Sequence, residues 1–560
     1  MTRCGVVTRP ARLMLVNRWS AAVLIAGLLG PTWSSAKPPT LTELFPPGAG
    51  RGQSVAVNAS GTFDHWPVKA WIDGRGVEIR AEKEKGKLTA VVAADAPPGL
   101  RWVRLYDGEG ATALRPFIIG ALHEVLEVEP NDEPAAPQRL AGSSSTVNGR
   151  LAKAGDVDGF GVSLTRGQSL VASIEAERPF GSPMDAVLQV VSQEGLVLAQ
   201  NDDDVGRDPR IVFEAQSTGS YIVRLFAFPA KADSSIRFAG GRDYVYRLTL
   251  TTGGFIDYAF PLAVESGEPA VVEAIGWNIP AAAGILPIRE SDARDVLSVA
   301  HPSLAGTAEI RRVPFAAMVE TEPNDRARPQ AITSPVALSG RIDPPGDQDV
   351  FRLSLRKDDK RVIRVESRAL GRPLDPTLRI VDAQGKILSE SDDTGRNDRD
   401  LERSFTAPAD GDYRLVVRDL NGRGGPRFAY LLSVLEPRPD FALALTADRF
   451  DLTPGKTTKI TVAVQRKDGL AEPIEIAALD LPAGITAPQV TSKSGDASAR
   501  SVVLEFSAED CSCPGPFRIV GSTMGGVRIF HAATAPIAGF EVKTDQPWLT
   551  IRWPEPSKQK

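Results

Sequence analysis

Two stretches of this 560-residue chain concentrate side-chain oxygen far beyond what an ordinary surface requires. Glu127-Val128-Glu129-Pro130-Asn131-Asp132 is followed by Gly155-Asp156-Val157-Asp158. Glu320-Thr321-Glu322-Pro323-Asn324-Asp325 is followed, at a matching offset, by Gly346-Asp347-Gln348-Asp349. The first set offers Glu127, Glu129, Asn131, Asp132, Asp156 and Asp158; the second offers Glu320, Glu322, Asn324, Asp325, Asp347 and Asp349. Five carboxylates and an amide oxygen repel one another unless a cation joins them. An all-oxygen donor set suits a hard ion, and a shell of six to eight oxygens describes calcium. A solvated acidic linker is the competing reading, but a linker does not need two clusters whose spacing agrees within two residues.

The backbone must bring these oxygens together. In extended chain, alternate side chains share a face, so Glu127, Glu129 and Asn131 are expected to point the same way, with Asp132 wrapping round from the next turn. Pro130 keeps Glu129 out of the helical region. Asp156 and Asp158, two apart, present both carboxylates from one face, and the same holds for Asp347 and Asp349. A second acidic stretch, Asp202-Asp203-Asp204 with Asp208 (counterparts Asp392, Asp393 and Asp398), lacks the alternating donors of an EF-hand loop and reads as a polar hairpin.

The acidic motif heads a longer repeat. Pro183-Met184-Asp185, Gln193-Glu194-Gly195, Gly219-Ser220-Tyr221 and Tyr246-Arg247-Leu248 return in order as Pro373-Leu374-Asp375, Ala383-Gln384-Gly385, Gly411-Asp412-Tyr413 and Tyr430-Leu431-Leu432. That is duplication. A second repeat fills the gaps: Phe45-Pro46, Gly52, Val57 and Gly61 recur 215 positions later as Phe260-Pro261, Gly267, Val272 and Gly276. The expected order is therefore module A1 (37–124), B1 (125–251), a short A2 (252–317), B2 (318–437) and a C-terminal segment (438–560). Strands with period-two alternation, such as Leu170, Ala172 and Ile174 against Ser173 and Glu175, and glycine hairpins at Gly195 and Gly385 make the fold class all-β, a tandem array of about five small sandwiches each with one buried and one wet face. Lys459-Ile460-Thr461-Val462-Ala463-Val464 and its turn signals give the last segment an immunoglobulin-like character.

The runs from Glu127 to about Leu250 and from Glu320 to about Val434 resemble the bacterial pre-peptidase C-terminal (PPC) domain, a β-sandwich module appended to secreted proteases. The resemblance implies calcium held by the Glu-x-Glu-Pro-Asn-Asp segment and the following Asp-x-Asp, and a stiffened junction with the preceding domain. The A segments are similar to the IPT/TIG class of immunoglobulin-like domains.

Composition limits the function classes. Hydrophobic residues at 42% are globular, and Gly 50 with Pro 44 makes the chain turn-rich. Residues 1–36 are expected to be a signal peptide: Arg3, Arg9, Arg12 and Arg18 precede the apolar run 21–29, and Ser34-Ser35-Ala36 offers a cleavage site. The formal charge of −5, less those four arginines, becomes −9, which argues against nucleic-acid binding. No run reaches the ~20 apolar residues of a membrane span. Cys511 and Cys513 are expected to form a local disulfide or remain inert thiols. The four histidines, His65, His123, His301 and His531, stand far apart in sequence with no metalloprotease spacing, and no serine elbow occurs. The expectation is an exported, non-catalytic binding or adhesion protein in the periplasm, at the cell surface or secreted. Its partner would be an extracellular protein or polysaccharide. An envelope spacer, or an accessory subunit or remnant of a secreted peptidase or other hydrolase, is the alternative.

Overall fold

The computed structural model describes residues 37–231, 237–288, 295–394, 400–509, 513–526 and 528–553. The expected signal peptide, Asp398 and Cys511 lie outside the described residues; Cys513 is exposed. The chain is nearly all β, with a few short helical turns. Among the described residues no helix is long and apolar enough to cross a membrane.

Five large apolar cores follow one another along the chain, centred on Phe117, Phe160, Ile310, Phe351 and Phe506. The duplicated segments share one topology. In the first, a five-stranded sheet runs in the order Gln138–Arg139, Asp158–Leu164, Gly219–Pro229, Met184–Val191, Val197–Asn201. Facing it is a second five-stranded sheet in the order Arg210–Glu214, Ser169–Glu175, Val245–Thr251, Ser144–Arg150, Glu124–Leu126. The 318–437 segment repeats both orders strand for strand. The Gly195 and Gly385 hairpins form as expected, with φ of +84° and +85° that a side chain would strain. Among the described residues the short A2 segment keeps three strands in each sheet where A1 has four, and the C-terminal segment sets a nine-stranded sheet against a three-stranded one.

The expected wet face is missing on one central strand. In Ser169–Glu175 the alternate residues Val171 and Ser173 are buried too. The reason is a neighbour: Val171 packs with Phe255 and Ala305 of A2, so this sheet is covered on both sides. Hydrogen bonds reinforce the contact, as between Asn278 Nδ2 and Ser169 O at 3.0 Å.

Charge completes that joint. Asp257, on the A2 strand Phe255–Phe260, is buried with three guanidinium groups around it. Arg372 Nη1 and Arg427 Nε of B2 each lie 2.8 Å from its Oδ2, and Arg210 Nη1 of B1 lies 2.5 Å from Oδ1. Asp204 of B1 accepts from Arg427 at 2.7 Å and faces Arg210 at 3.3 Å. Burial pushes the Asp257 carboxyl up, but Arg372, Arg210 and Arg427 together outweigh it and hold the group far below the usual carboxylate range.

The array is also closed on itself. Arg104 of A1, fully buried, donates to Asp448 Oδ2 of the C-terminal segment at 2.7 Å and to Thr112 O at 2.7 Å. Trp548 packs against Trp71 and Tyr106 of A1, at ring-centroid distances of 6.0 and 4.8 Å. Residues 37–553 thus belong to one compact unit whose first and last segments touch, which a simple row of sandwiches does not predict.

Candidate metal centre

The first acidic run starts where a strand stops. Glu124–Leu126 pairs in parallel with Ser144–Arg150, and the chain then leaves the sheet. The Glu129–Pro130 and Glu322–Pro323 peptides are cis. The expected extended alternation through Glu127, Glu129 and Asn131 is replaced by an irregular, locally bonded segment. Glu129 Oε2 accepts from the Asn131 N–H at 2.8 Å, and the Asn131 carbonyl accepts from the Gly159 N–H at 3.1 Å. Asn131 is fully buried, and its Oδ1 faces the Gly159 N–H at 3.3 Å, so it docks the segment onto the strand that begins at Asp158.

That docking brings the two stretches together. Single carboxylate oxygens of Glu129, Asp132, Asp156 and Asp158 lie within 4.8 Å of one another. Oxygens sharing one calcium at ~2.3–2.6 Å can be no more than about 5 Å apart, so the spacing fits a single ion. Glu127 stands beside them, its Oε2 fixed by the Arg150 N–H at 2.6 Å. Asp156 and Asp158 are fully buried. Glu127 Oε1, Asp132 Oδ1, Asp156 Oδ1 and Asp158 Oδ1 are buried and make no hydrogen bond. Four buried acidic oxygens without hydrogen donors are costly unless something else satisfies them. The donor set thus fits a hard dication.

Electrostatics agree. Burial first, then the charge of Glu127, pushes the Asp158 carboxyl well up, although the Tyr246 hydroxyl works against this. Burial also lifts Glu127, opposed by the Arg150 N–H and assisted by the charge of Glu129. The nearest cation is Lys153, whose Nζ lies 3.7 Å from Asp132 and 3.6 Å from Asp156, but its side chain is 67% exposed. A lysine so solvated is a weak substitute for a shared ion.

The second copy repeats the frame with fewer ligands. Glu320, Glu322 and Asp349 converge within the same 4.8 Å. Arg341 N–H donates to Glu320 at 2.6 Å, Asn324 N–H to Glu322 at 2.9 Å, and Val350 N–H to Asn324 O at 2.7 Å. Asp349 Oδ1 is buried without a partner. Asp325, however, accepts from the Arg328 guanidinium at 2.8 Å and lies outside the converging group. Asp347 also lies outside that group, its two oxygens taken by the N–H groups of Gln348 and Asp343 at 2.9 and 3.3 Å. The polar-hairpin acids have other roles. Asp208 caps three N–H groups of the 176–178 turn, and Asp400 does the same for 367–369. The structural counterpart of Asp208 is thus Asp400, two residues beyond Asp398.

Two pairs of residues central to the frame carry no acidic signature. Tyr246 and Tyr430 donate to Asp158 Oδ2 and Asp349 Oδ2, each at 2.5 Å. Gly149 and Gly340 make room for them. A Cβ at Gly149 would lie 2.2 Å from Tyr246 Oη and 2.7 Å from Glu127 Oε2; at Gly340, 2.5 Å from Tyr430 Oη and 2.7 Å from Glu320 Oε2. The next residue then ties each B module to the A module before it. The Arg150 guanidinium lies 4.4 Å from the Phe45 ring centre, and that of Arg341 lies 3.9 Å from Phe260. All four residues occupy matching places in the repeat, which was the available signal.

No family model matches the chain, and no curated protein does. Among solved structures, the pre-peptidase C-terminal domain of a Bacillus anthracis collagenase is similar at 19% identity over 19% of this chain and 92% of that one, with a TM-score of 0.16. The Bacteroides ovatus mixed-linkage glucan utilization protein SGBP-B, in complex with a heptasaccharide, is similar at 10% identity over 71% of this chain and 77% of that one, TM-score 0.15. Escherichia coli α-2-macroglobulin is similar at 11% identity over 89% and 41%, TM-score 0.14. Likenesses at this level decide neither family nor activity.

Proposed function

We propose that this chain is an exported, non-catalytic, multi-domain binding protein whose two PPC-like modules are held by calcium, with an extracellular protein or polysaccharide as partner. One observation carries the calcium part: carboxylate oxygens of Glu129, Asp132, Asp156 and Asp158 converge within the reach of one ion, and buried oxygens of Asp132, Asp156, Asp158 and the neighbouring Glu127 make no hydrogen bond. Calcium would bind there through Glu127, Glu129, Asp132, Asp156 and Asp158, and in the second copy through Glu320, Glu322 and Asp349. Its role would be structural. It would pin the irregular 127–132 segment to the strand at Asp158 and, through Arg150, to Phe45 of the module before. The contact between Arg104 and Asp448 argues against an extended spacer, since it brings first and last segments together.

The test is thermal unfolding of residues 37–560 with calcium and with chelator. A ligand binding only the folded state adds about 2.7 kcal/mol at a hundredfold excess over its dissociation constant. A clear rise in Tm is expected, abolished in the Glu129→Gln/Glu322→Gln double variant. An unchanged Tm, with no calcium uptake by calorimetry, removes the reading.

A further inference from the structure

A cleft of about 480 Å³ opens where A1 meets B1. Its floor follows from strand alternation. Leu44, Val57 and Leu88 point into the A1 core, so their neighbours on the paired strands present the opposite face. Glu43 faces Ser60, Phe45 faces Asn58, and Asn58 faces Lys87. B1 roofs this face with Arg150 and Arg242, and Lys85 stands at the rim. Four cations and one carboxylate thus line the cleft, a surplus of three positive charges in a chain whose formal net charge is −5. Arg150 pairs with Glu43. Arg242 meets the neutral Ser60 hydroxyl at 2.6 Å and Lys87 the neutral Asn58 carbonyl at 2.8 Å.

The second A–B joint shows that the joint itself does not need this cleft. There the register is the same, but Tyr258 stands at the place of Glu43, Ile275 at that of Ser60, and Ile285 at that of Lys87. Pro426 replaces Arg242, and the Tyr258 hydroxyl donates to its carbonyl. Tyr258, Phe260 and Ile275 pack with Ala429 and Leu431 of B2 in one apolar cluster. In one copy Tyr258, Phe260 and Ile275 close the joint with apolar contacts, Glu273 stands at the place of Asn58 and Ile285 is exposed; the other copy is open, polar and cationic.

We propose that the A1–B1 cleft binds an anionic saccharide, a sugar ring bearing a carboxylate. The volume falls in the range of small-molecule sites and exceeds what an inorganic ion fills. The cations are spread across the opening, from Lys85 and Lys87 on one wall to Arg242 on the other. Asn58 lies exposed between them as a hydrogen-bonding group for hydroxyls, while Ser60 beside it is buried and holds Arg242. Lys87 and Arg242 meet the carboxylate; Glu43 opposes it. This deepens the binding reading above; the cleft shares Arg150 with the calcium-side joint but uses none of the proposed calcium ligands.

The test is titration of residues 37–560 with D-glucuronate, D-glucose and inorganic phosphate, by calorimetry or ligand-observed NMR, in chelator and again in calcium. Glucuronate is expected to bind with a dissociation constant on the order of 1 mM or tighter, and glucose not to bind. Lys87→Ala and Arg242→Ala should each weaken it about tenfold, the scale of one charged hydrogen bond. Glu43→Gln should tighten it, an outcome that a misfolded variant cannot mimic. Binding of phosphate as tight as that of glucuronate, no binding of glucuronate, or variants without effect would each overturn the proposal. The calcium-dependent Tm shift is read on the same samples, so failure here leaves the calcium reading standing and the converse holds too.

Discussion

Asp257→Asn is the sharpest perturbation of the assembly, because it keeps the shape of a buried group while removing its charge and turning one acceptor oxygen into a donor. Arg210, Arg372 and Arg427 converge on this carboxylate from two modules, and Arg372 is itself buried. With Asn in place, Asp204 remains for Arg210 and Arg427, while Arg372 keeps only carbonyl and amide oxygens. Removing one partner of a buried ion pair costs about 3–5 kcal/mol, chiefly from stranding the other charge. Equilibrium urea denaturation should therefore lose about that much, and Arg372→Met in the Asp257→Asn background should recover part of it, since no buried guanidinium is then left unpaired. The pH dependence follows with a definite sign. The folded-state carboxyl titrates far below its unfolded value, so its stabilisation is complete above the ordinary carboxylate range and is lost as pH falls below about 4. Asp257→Asn should remove that part of the acid-limb slope. A loss under about 1 kcal/mol at pH 7, or an unchanged acid limb, would refute the ion network as the element joining B1, A2 and B2.

Other outcomes follow from the candidate metal centre. Gly149→Ala forces a methyl against the Tyr246 hydroxyl and the Glu127 carboxylate, and overpacking of this kind costs about 1–3 kcal/mol; denaturation should show that loss, together with weaker calcium binding. The first copy gathers more carboxylates than the second, so calorimetry should resolve a tighter and a weaker calcium step, with Glu129→Gln removing the tighter and Glu322→Gln the weaker. Calcium affinity should rise with pH, because Glu127 and Asp158 are held above the usual carboxylate range and must release protons to bind metal; titrations in buffers of different ionisation enthalpy count those protons. The same raised values have the opposite consequence without metal. The folded form then holds more protons than the unfolded chain, so calcium-free stability should fall as pH rises above the ordinary carboxylate range.

What could be read from the chain was what its two copies share. The acidic run, the Asp-x-Asp, the glycine hairpins and the Phe-Pro of the A segments all recur, and each returns in the structure as a defined local feature. The contacts between modules were hidden for the same reason. Asp257 stands where A1 has Thr42, and Arg372 and Arg427 stand where B1 has Ser182 and Asp243. The contacts that do not repeat live at the positions where the copies differ, and a lone charged residue in a β-rich sequence reads as solvated surface. The failure of the wet-face expectation at Val171 has that origin: period two reveals one core-facing side but not a neighbour on the other. Tyr246 and Gly149 belong to the repeat, yet neither residue type announces a metal site, and only the closeness of the Tyr246 hydroxyl to Asp158 gives them that meaning. Asp325 shows the reverse case, a motif residue diverted by the local Arg328 three positions on.

The contact of Arg104 and Trp548 across the two ends also bears on how this chain could have grown. An open repeat array lengthens freely, since each added unit touches only its neighbours. Here an added A–B pair would move the C-terminal segment away from A1, leaving Asp448 and the Arg104 guanidinium without each other and Trp548 without its ring partners. Duplication could proceed once and then be locked by closure, so the number of modules is itself a structural constraint.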